Sequence, residues 1–219
     1  MTNELFFIIH SILIGLFAVI ALRIGKEALV SLLCVQAILS NLFVTKQIIL
    51  WGLCATCSDA FSVGSSLSLN LLQEYYGKKI AQKTIWISFM CLIFYLFMTQ
   101  IHLAYYPSEL DTTQQFFFYI LEFTPRFVFA SLISYLISQQ IDTFLFAYLK
   151  EKFAGRYFIL RNYGSLLVSQ FADTLLFTFL GLYGINQNLF QIFVISYSVK
   201  IITIFISAPI VALSKKIIL

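Results

Sequence analysis

The chain reads as a series of long apolar runs separated by short polar breaks. Six runs are each close to the ~20 residues needed to cross a bilayer as a helix: 5–22, 28–45, 84–106, 127–149, 163–182 and 189–213. A seventh stretch, 47–73, is two shorter runs split at Ser58-Asp59, and its second half carries Ser62, Gly64, Ser65, Ser66, Ser68 and Asn70. That pattern predicts a broken or re-entrant element followed by a helix, which is tolerated only where the backbone is buried in protein or lines a cavity. The expected fold is all-α, a polytopic membrane helix bundle with about seven crossings. Residues 1–219 form a single transmembrane domain with no linker, low-complexity segment or convincing internal repeat.

Charge fixes the expected orientation. Arg23 and Lys26 follow the first run, Lys78, Lys79 and Lys83 the third crossing, Lys150, Lys152, Arg156 and Arg161 the fifth, and Lys215 and Lys216 lie in the tail. The alternate loops hold Lys46, then Glu109, Asp111 and Glu122, then no charge at all between Asp173 and Lys200. Basic loops face the cytoplasm. The N-terminus is therefore expected outside and the C-terminus in the cytoplasm, with an odd number of crossings. Residues 5–22 follow Glu4 without a basic leader and lack a small-residue cleavage site before Arg23, so they read as a retained helix.

Composition closes off the soluble alternatives. With 60% hydrophobic and only 11% charged residues, the chain lacks the polar surface to face water. The net charge of +4 matters only through its placement. Cys34, Cys54, Cys57 and Cys91 are too few and scattered for a disulfide framework, and Cys54-Ala-Thr-Cys57 has no second pair or nearby histidines to make a metal site.

Ionisable residues inside apolar helices are costly, about 2.5–3.5 kcal/mol each on insertion scales, and mark cavities or partners. Asp173 and Lys200 lie mid-helix, Asp142 about two turns from a helix end, and Arg126 and Glu74 nearer the ends. Tyr135, Gln139, Asp142 and Phe146 share one helix face, as do Asn162, Ser165, Ser169 and Asp173, with Gln170 on the flank. Asp173 and Lys200 could pair to join two helices, contact a ligand, or do both. His10 has no carboxylate at helical spacing and reads as an interhelical hydrogen-bond donor rather than a proton relay. No Walker A loop, H-E-x-x-H or nucleophile elbow is present, and the acids are not at metal-ligand spacing, so an enzyme, a metal and a cofactor are all disfavoured.

Several motifs carry a family resemblance. They are Asn70-Leu-Leu-Gln-Glu-Tyr-Tyr-Gly77-Lys-Lys, then Arg126 leading to Ala130-Ser131 and Tyr135 with Gln139 and Asp142, then Arg161-Asn162-Tyr-Gly-Ser165 running to Ser169-Gln170-Phe-Ala-Asp173-Thr174, and finally Lys200 with Pro209. Asn41 and Lys46 fit upstream. Together these resemble the bacterial queuosine precursor transporter family, also known as vitamin uptake transporters. Asn70 stands where that family carries an acid, and Ala208-Pro209 where it carries Thr-Pro.

The resemblance spans about residues 41–209. It implies a six-helix core (27–219) with residues 1–26 as an accessory helix dispensable for binding. It further implies a multi-pass importer in the bacterial cytoplasmic membrane that takes up a 7-deazaguanine base: the cyano precursor, the aminomethyl precursor or queuine. Such a base would supply tRNA queuosine modification. The carrier itself binds a purine-like small molecule and lipid, not nucleic acid. The motif residues Glu74, Asn70, Arg126, Lys200, Ser165 and Tyr135 join the expected site. Asp142 and Asp173 would accept N–H donors from the base edge, Asn162, Gln139 and Gln170 would serve as amides, and aromatic rings would stack on the flat face. The competing reading is the substrate-binding subunit of an ATP-driven vitamin importer.

The orientation is directly testable. Reporter fusions at Asn186 and Lys216 should label opposite sides of the membrane, whereas same-side labelling would mean a miscounted crossing near Ser58-Asp59.

Overall fold

The computed structural model describes residues 2–44, 46–56, 58–122, 125–184 and 189–212, without side chains at 53, 54, 125–128, 182 and 212. Eight helices and one hairpin follow in chain order: α1 Asn3–Ile24, α2 Lys26–Leu42, β1 Gln47–Leu50, β2 Leu53–Thr56, α3 Ser58–Tyr76, α4 Lys78–Ala104, α5 Gln114–Leu121, α6 Pro125–Lys152, α7 Phe158–Leu182 and α8 Leu189–Ala212. All but α5 coincide with a run read from the sequence. Four of them, α1, α4, α7 and α8, are long and apolar enough by length and composition to cross a membrane. The chain is thus a polytopic, all-helical membrane protein.

Two joints between helices are single glycines. Gly25 (φ 139°) links α1 to α2, and Gly77 (φ 87°) links α3 to α4. Both sit in the left-handed region that disfavours a Cβ. These tight reversals and the five-residue connection between α6 and α7 follow helices that run from the hairpin, and they mark the opposite end of the bundle. The hairpin end gathers the β-hairpin, α5 and the starts of α3 and α8, and the basic end gathers Lys78, Lys150 and Arg161.

The stretch 47–73 departs from expectation. Its first run is an antiparallel hairpin, pairing Gln47 with Thr56 and Leu50 with Leu53. Its two-residue turn is Trp51 (φ 48°) and Gly52 (φ 79°), and positive φ at both positions marks a type I′ turn. Ser58-Asp59 does not interrupt a helix but opens α3, while Cys57 lies outside the described residues. The N-terminus of α1 clasps the hairpin: Asn3 Nδ2 donates to Ile49 O (3.1 Å), and Glu4 Oε1 accepts from the Trp51 N–H (3.0 Å). A second difference lies in the acidic loop after α4, which contains the short helix α5.

Polarity is inverted relative to a water-soluble protein. Phe17, Phe94, Phe144, Phe190 and Phe205 are exposed, while Ser65, Asn70, Gln139, Asp142 and Asn162 are fully or almost fully buried. Apolar rings facing outward suit a hydrocarbon solvent, and the polar groups must then find partners within the bundle. The helix α1, expected as accessory, packs against α8, α3 and α2 through Phe7, Ile14, Ala18 and Leu22. His10 does not make the expected hydrogen bond from Nε2, and its ring meets Phe61 edge-on at 4.5 Å.

Among the glycines of the bundle, Gly64 leaves the least room for a side chain. A Cβ there would lie 2.7 Å from Ile14 Cγ2 and 2.8 Å from Gln36 Nε2. Gly64 therefore leaves room for Ile14 of α1 and Gln36 of α2 to pack against α3. Gly64→Leu should lower stability by at least ~1–3 kcal/mol through overpacking. Gly77→Ala, with open space around it, should cost only the backbone strain of about 1–2 kcal/mol. Thermal unfolding in detergent checks the ranking, and equal losses would contradict this packing.

Candidate functional site

A cavity of about 600 Å³ runs from the hairpin end to the middle of the bundle, a volume typical of small-molecule sites. Gln47, Thr56, Gln100, Leu121 and Gln191 line its mouth, and Ser65, Tyr135, Asp173 and Lys200 its floor. Its lining comes from the hairpin and from α2, α3, α4, α5, α6, α7 and α8, so every helix of the bundle except α1 contributes.

The floor is built around one ammonium. Lys200 Nζ lies 2.6 Å from Asp173 Oδ2 and 3.7 Å from Asp59 Oδ1, and Lys200 is only 3% exposed. The helices α3, α7 and α8 each supply one member. Ser196, one turn before Lys200 on α8, donates to both carboxylate oxygens of Asp59 at 2.9 Å. Thr56 Oγ1 approaches the same carboxylate at 3.5 Å, and Ser138 donates to Asp173 Oδ1 at 3.3 Å. Two carboxylates against one lysine leave a formal charge of −1 facing the cavity. Such a floor favours ligands presenting several N–H donors on one edge, because charged acceptors form the stronger hydrogen bonds.

The walls supply flat apolar surface. Tyr95, Tyr135, Phe177 and Leu92 border the cavity, with Tyr135 held by a 2.7 Å hydrogen bond to Ser88. Toward the mouth, Asn41 Oδ1 accepts from Ser131 Oγ at 2.6 Å and ties α2 to α6. Rings in fixed rotamers beside a polar floor suit a planar heterocycle.

Below the floor the polar residues pair with one another instead of lining space. Gln139 donates to Ser65 Oγ (3.1 Å) and accepts from Ser66 (3.3 Å), while Gln170 donates to Ser66 Oγ (3.0 Å) and accepts from Ser62 (3.1 Å). One or two turns deeper, Asn70 donates to Asn162 Oδ1 (2.7 Å) and to Ser165 Oγ (3.2 Å), beside the fully buried Asp142. At the basic end, Arg161 forms a two-pronged pair with Glu74 (3.1 and 3.0 Å), and Lys150 reaches the same carboxylate at 2.9 Å. The Arg161 guanidinium lies over the Phe146 and Phe158 rings and donates to Arg156 O and Gly155 O.

The expected site residues thus separate by depth. Asp173, Lys200 and Tyr135 line the cavity. Gln139, Gln170, Asn70, Asn162, Ser165 and Asp142 form the packed layer beneath it, and Glu74 closes the basic end. Arg161 is not a free loop cation but a fully buried one. The Arg126 side chain lies outside the described residues.

Asp59 completes the floor and was not among the expected site residues. The signal was present: Asp59, Ser62, Ser66, Asn70 and Gln73 follow helical spacing and share one face of α3. Reading Ser58-Asp59 as a break concealed that stripe.

A family model described as "Putative vitamin uptake transporter" matches residues 61–214. A protein of Bacillus subtilis (strain 168) named "Probable queuosine precursor transporter" is 33% identical over 217 residues, covering 97% of this chain and 93% of the relative. No solved structure matches. The matched relative extends over nearly the whole bundle, including the helices that carry the floor and the packed layer beneath it. The chain therefore belongs to the vitamin uptake transporter family and is a transporter rather than an enzyme.

Proposed function

We propose that this chain imports a queuosine precursor, a 7-deazaguanine base, across the bacterial cytoplasmic membrane. The observation that carries the reading is the Asp59–Lys200–Asp173 floor of a ring-walled cavity, in a chain that resembles a protein named for this substrate class. A guanine-like edge offers adjacent N–H donors to a carboxylate and a carbonyl oxygen to the lysine. Tyr135, Tyr95 or Phe177 would cover the flat face. Seven of the helices, all but α5, cross the membrane in this reading, with the hairpin end outside.

Import then follows by alternating access. The cavity opens toward the hairpin end, while the amide layer and the Glu74–Arg161–Lys150 cluster occlude the basic end. Delivery to the cytoplasm requires α3 to part from α6 and α7, because those helices hold both layers together. Glu74 and Arg161 act here as the inner gate rather than as substrate contacts. Transporter sites commonly lie near the midplane, where such movement exposes them alternately.

Restoration of tRNA queuosine tests the substrate. In a strain lacking both the biosynthetic route and its own importer, this chain should restore the modification when a 7-deazaguanine base is fed. Failure with the cyano base, the aminomethyl base and queuine alike would overturn the assignment. Asp173→Asn should weaken apparent affinity by about ten- to a hundredfold, the loss of one charged hydrogen bond of ~1.5–3 kcal/mol. It also removes the closest counter-ion of Lys200, so stability should fall. Asp173→Asn combined with Lys200→Met restores the formal charge of the floor and should recover the unfolding midpoint without recovering uptake. Recovery of both would reduce Asp173 to a purely structural partner.

A further inference from the structure

Asp142 stands apart from the other buried acids. It is 0% exposed, and neither carboxylate oxygen has a hydrogen-bond partner. The ion pairs among the described residues all lie elsewhere. Ser165, Asn70 and Ser169 are the polar side chains beside the carboxylate. From Tyr135 at the cavity floor to Asp142 is seven residues of α6, about 10 Å along the axis.

The polar neighbours of Asp142 have competing partners of their own. Ser165 Oγ donates to Asn162 O (3.4 Å) and Ser169 Oγ to Leu166 O (3.2 Å). Asn70 spends its amide hydrogens on Asn162 Oδ1 and Ser165 Oγ, and its own Oδ1 is buried without a partner. The Asn162 Nδ2 group is likewise buried and unpaired. A carboxylate among neutral oxygens in a dry core is short of one positive charge. An unpaired ionised carboxylate there is far too costly to persist.

We infer that Asp142, with Asn70, Ser165 and Ser169, binds a single positive charge, a sodium ion or a proton, at a site distinct from the substrate cavity. The donor set is all oxygen, which suits a hard cation. A single carboxylate balances one unit of charge, and no cluster of three or more His, Cys, Asp or Glu residues suited to a metal exists among the described residues. The site lies within the layer that occludes the basic end. Loading it favours the closed layer, and opening that layer to water allows the charge to leave. Its role in coupling rests on the transporter reading, but binding of the ion does not.

Thermal unfolding of the purified chain, with no substrate present, separates the two. One series replaces potassium by sodium at constant ionic strength and fixed pH, and a second varies pH without sodium. The wild-type midpoint should climb with sodium concentration, or else with falling pH, as for any ligand that binds only the folded state. The first outcome identifies sodium and the second the proton. The other charged groups along the helices around Asp142 are Asp59 and Glu74 on α3, Arg126, Lys150, Glu151 and Lys152 on α6, and Arg161 and Asp173 on α7. A pH response from any of them would persist in Asp142→Asn, whereas that variant should lose the response assigned to this site. A wild type insensitive to both series, or a variant that responds as the wild type does, overturns the inference. If Asp142→Asn does not fold, equilibrium binding of radioactive sodium and the infrared carbonyl band of a protonated carboxyl decide on the wild type alone. Absence of both overturns it.

Discussion

One buried ammonium holds the functional half of this molecule together. Lys200 sits on α8 with almost no solvent contact, and its charge is balanced by carboxylates that α7, at 2.6 Å, and α3, at 3.7 Å, bring to it. Removing one partner of a buried pair costs on the order of 3–5 kcal/mol. Three helices are therefore obliged to meet at the cavity floor. The same constraint leaves one acidic charge uncompensated, so the interaction that joins the helices also gives the cavity its affinity for N–H donors.

The rest of the bundle is arranged along a polar axis from that floor to the basic end. Paired amides and serines come first, then Asn70, Asn162 and Asp142, and finally the Glu74–Arg161–Lys150 cluster. In hydrocarbon these groups have no water to fall back on, which favours layers that are either packed shut or open to a cavity. That all-or-none character is what a two-sided carrier requires. The outer faces, rich in exposed phenylalanines, take no part in this machinery and present a surface suited to lipid chains.

Much of this was legible in the sequence, and the failures have physical causes. Asp173 and Lys200 were identifiable because a lone charge in an apolar helix must be paired. The stripe from Tyr135 through Gln139 and Asp142 to Phe146 was read correctly as one face, but periodicity gives a face and not a depth. Tyr135 reaches the cavity, Gln139 the layer beneath it, Asp142 the dry core, and Phe146 the Arg161 cluster. The hairpin was hidden because short apolar runs fit a strand or a helix segment equally well. Its turn also places Trp51, rather than the usual Asn or Asp, at a positive φ. Arg161 was counted with the loop cations because sequence cannot distinguish a cytoplasmic arginine from one folded back onto a glutamate 87 positions away.

Calorimetric binding of the 7-deazaguanine base that restores tRNA queuosine, measured on purified Asp59→Asn, tests the central claim most directly. Lys200 keeps Asp173 at 2.6 Å in that variant, so the fold should survive while the floor loses its excess negative charge. The account predicts saturable binding to the wild type, and to an Asp111→Asn control in the exposed loop, with binding to Asp59→Asn reduced at least about tenfold, a loss of ~1.4 kcal/mol. Equal affinity in all three proteins would contradict it.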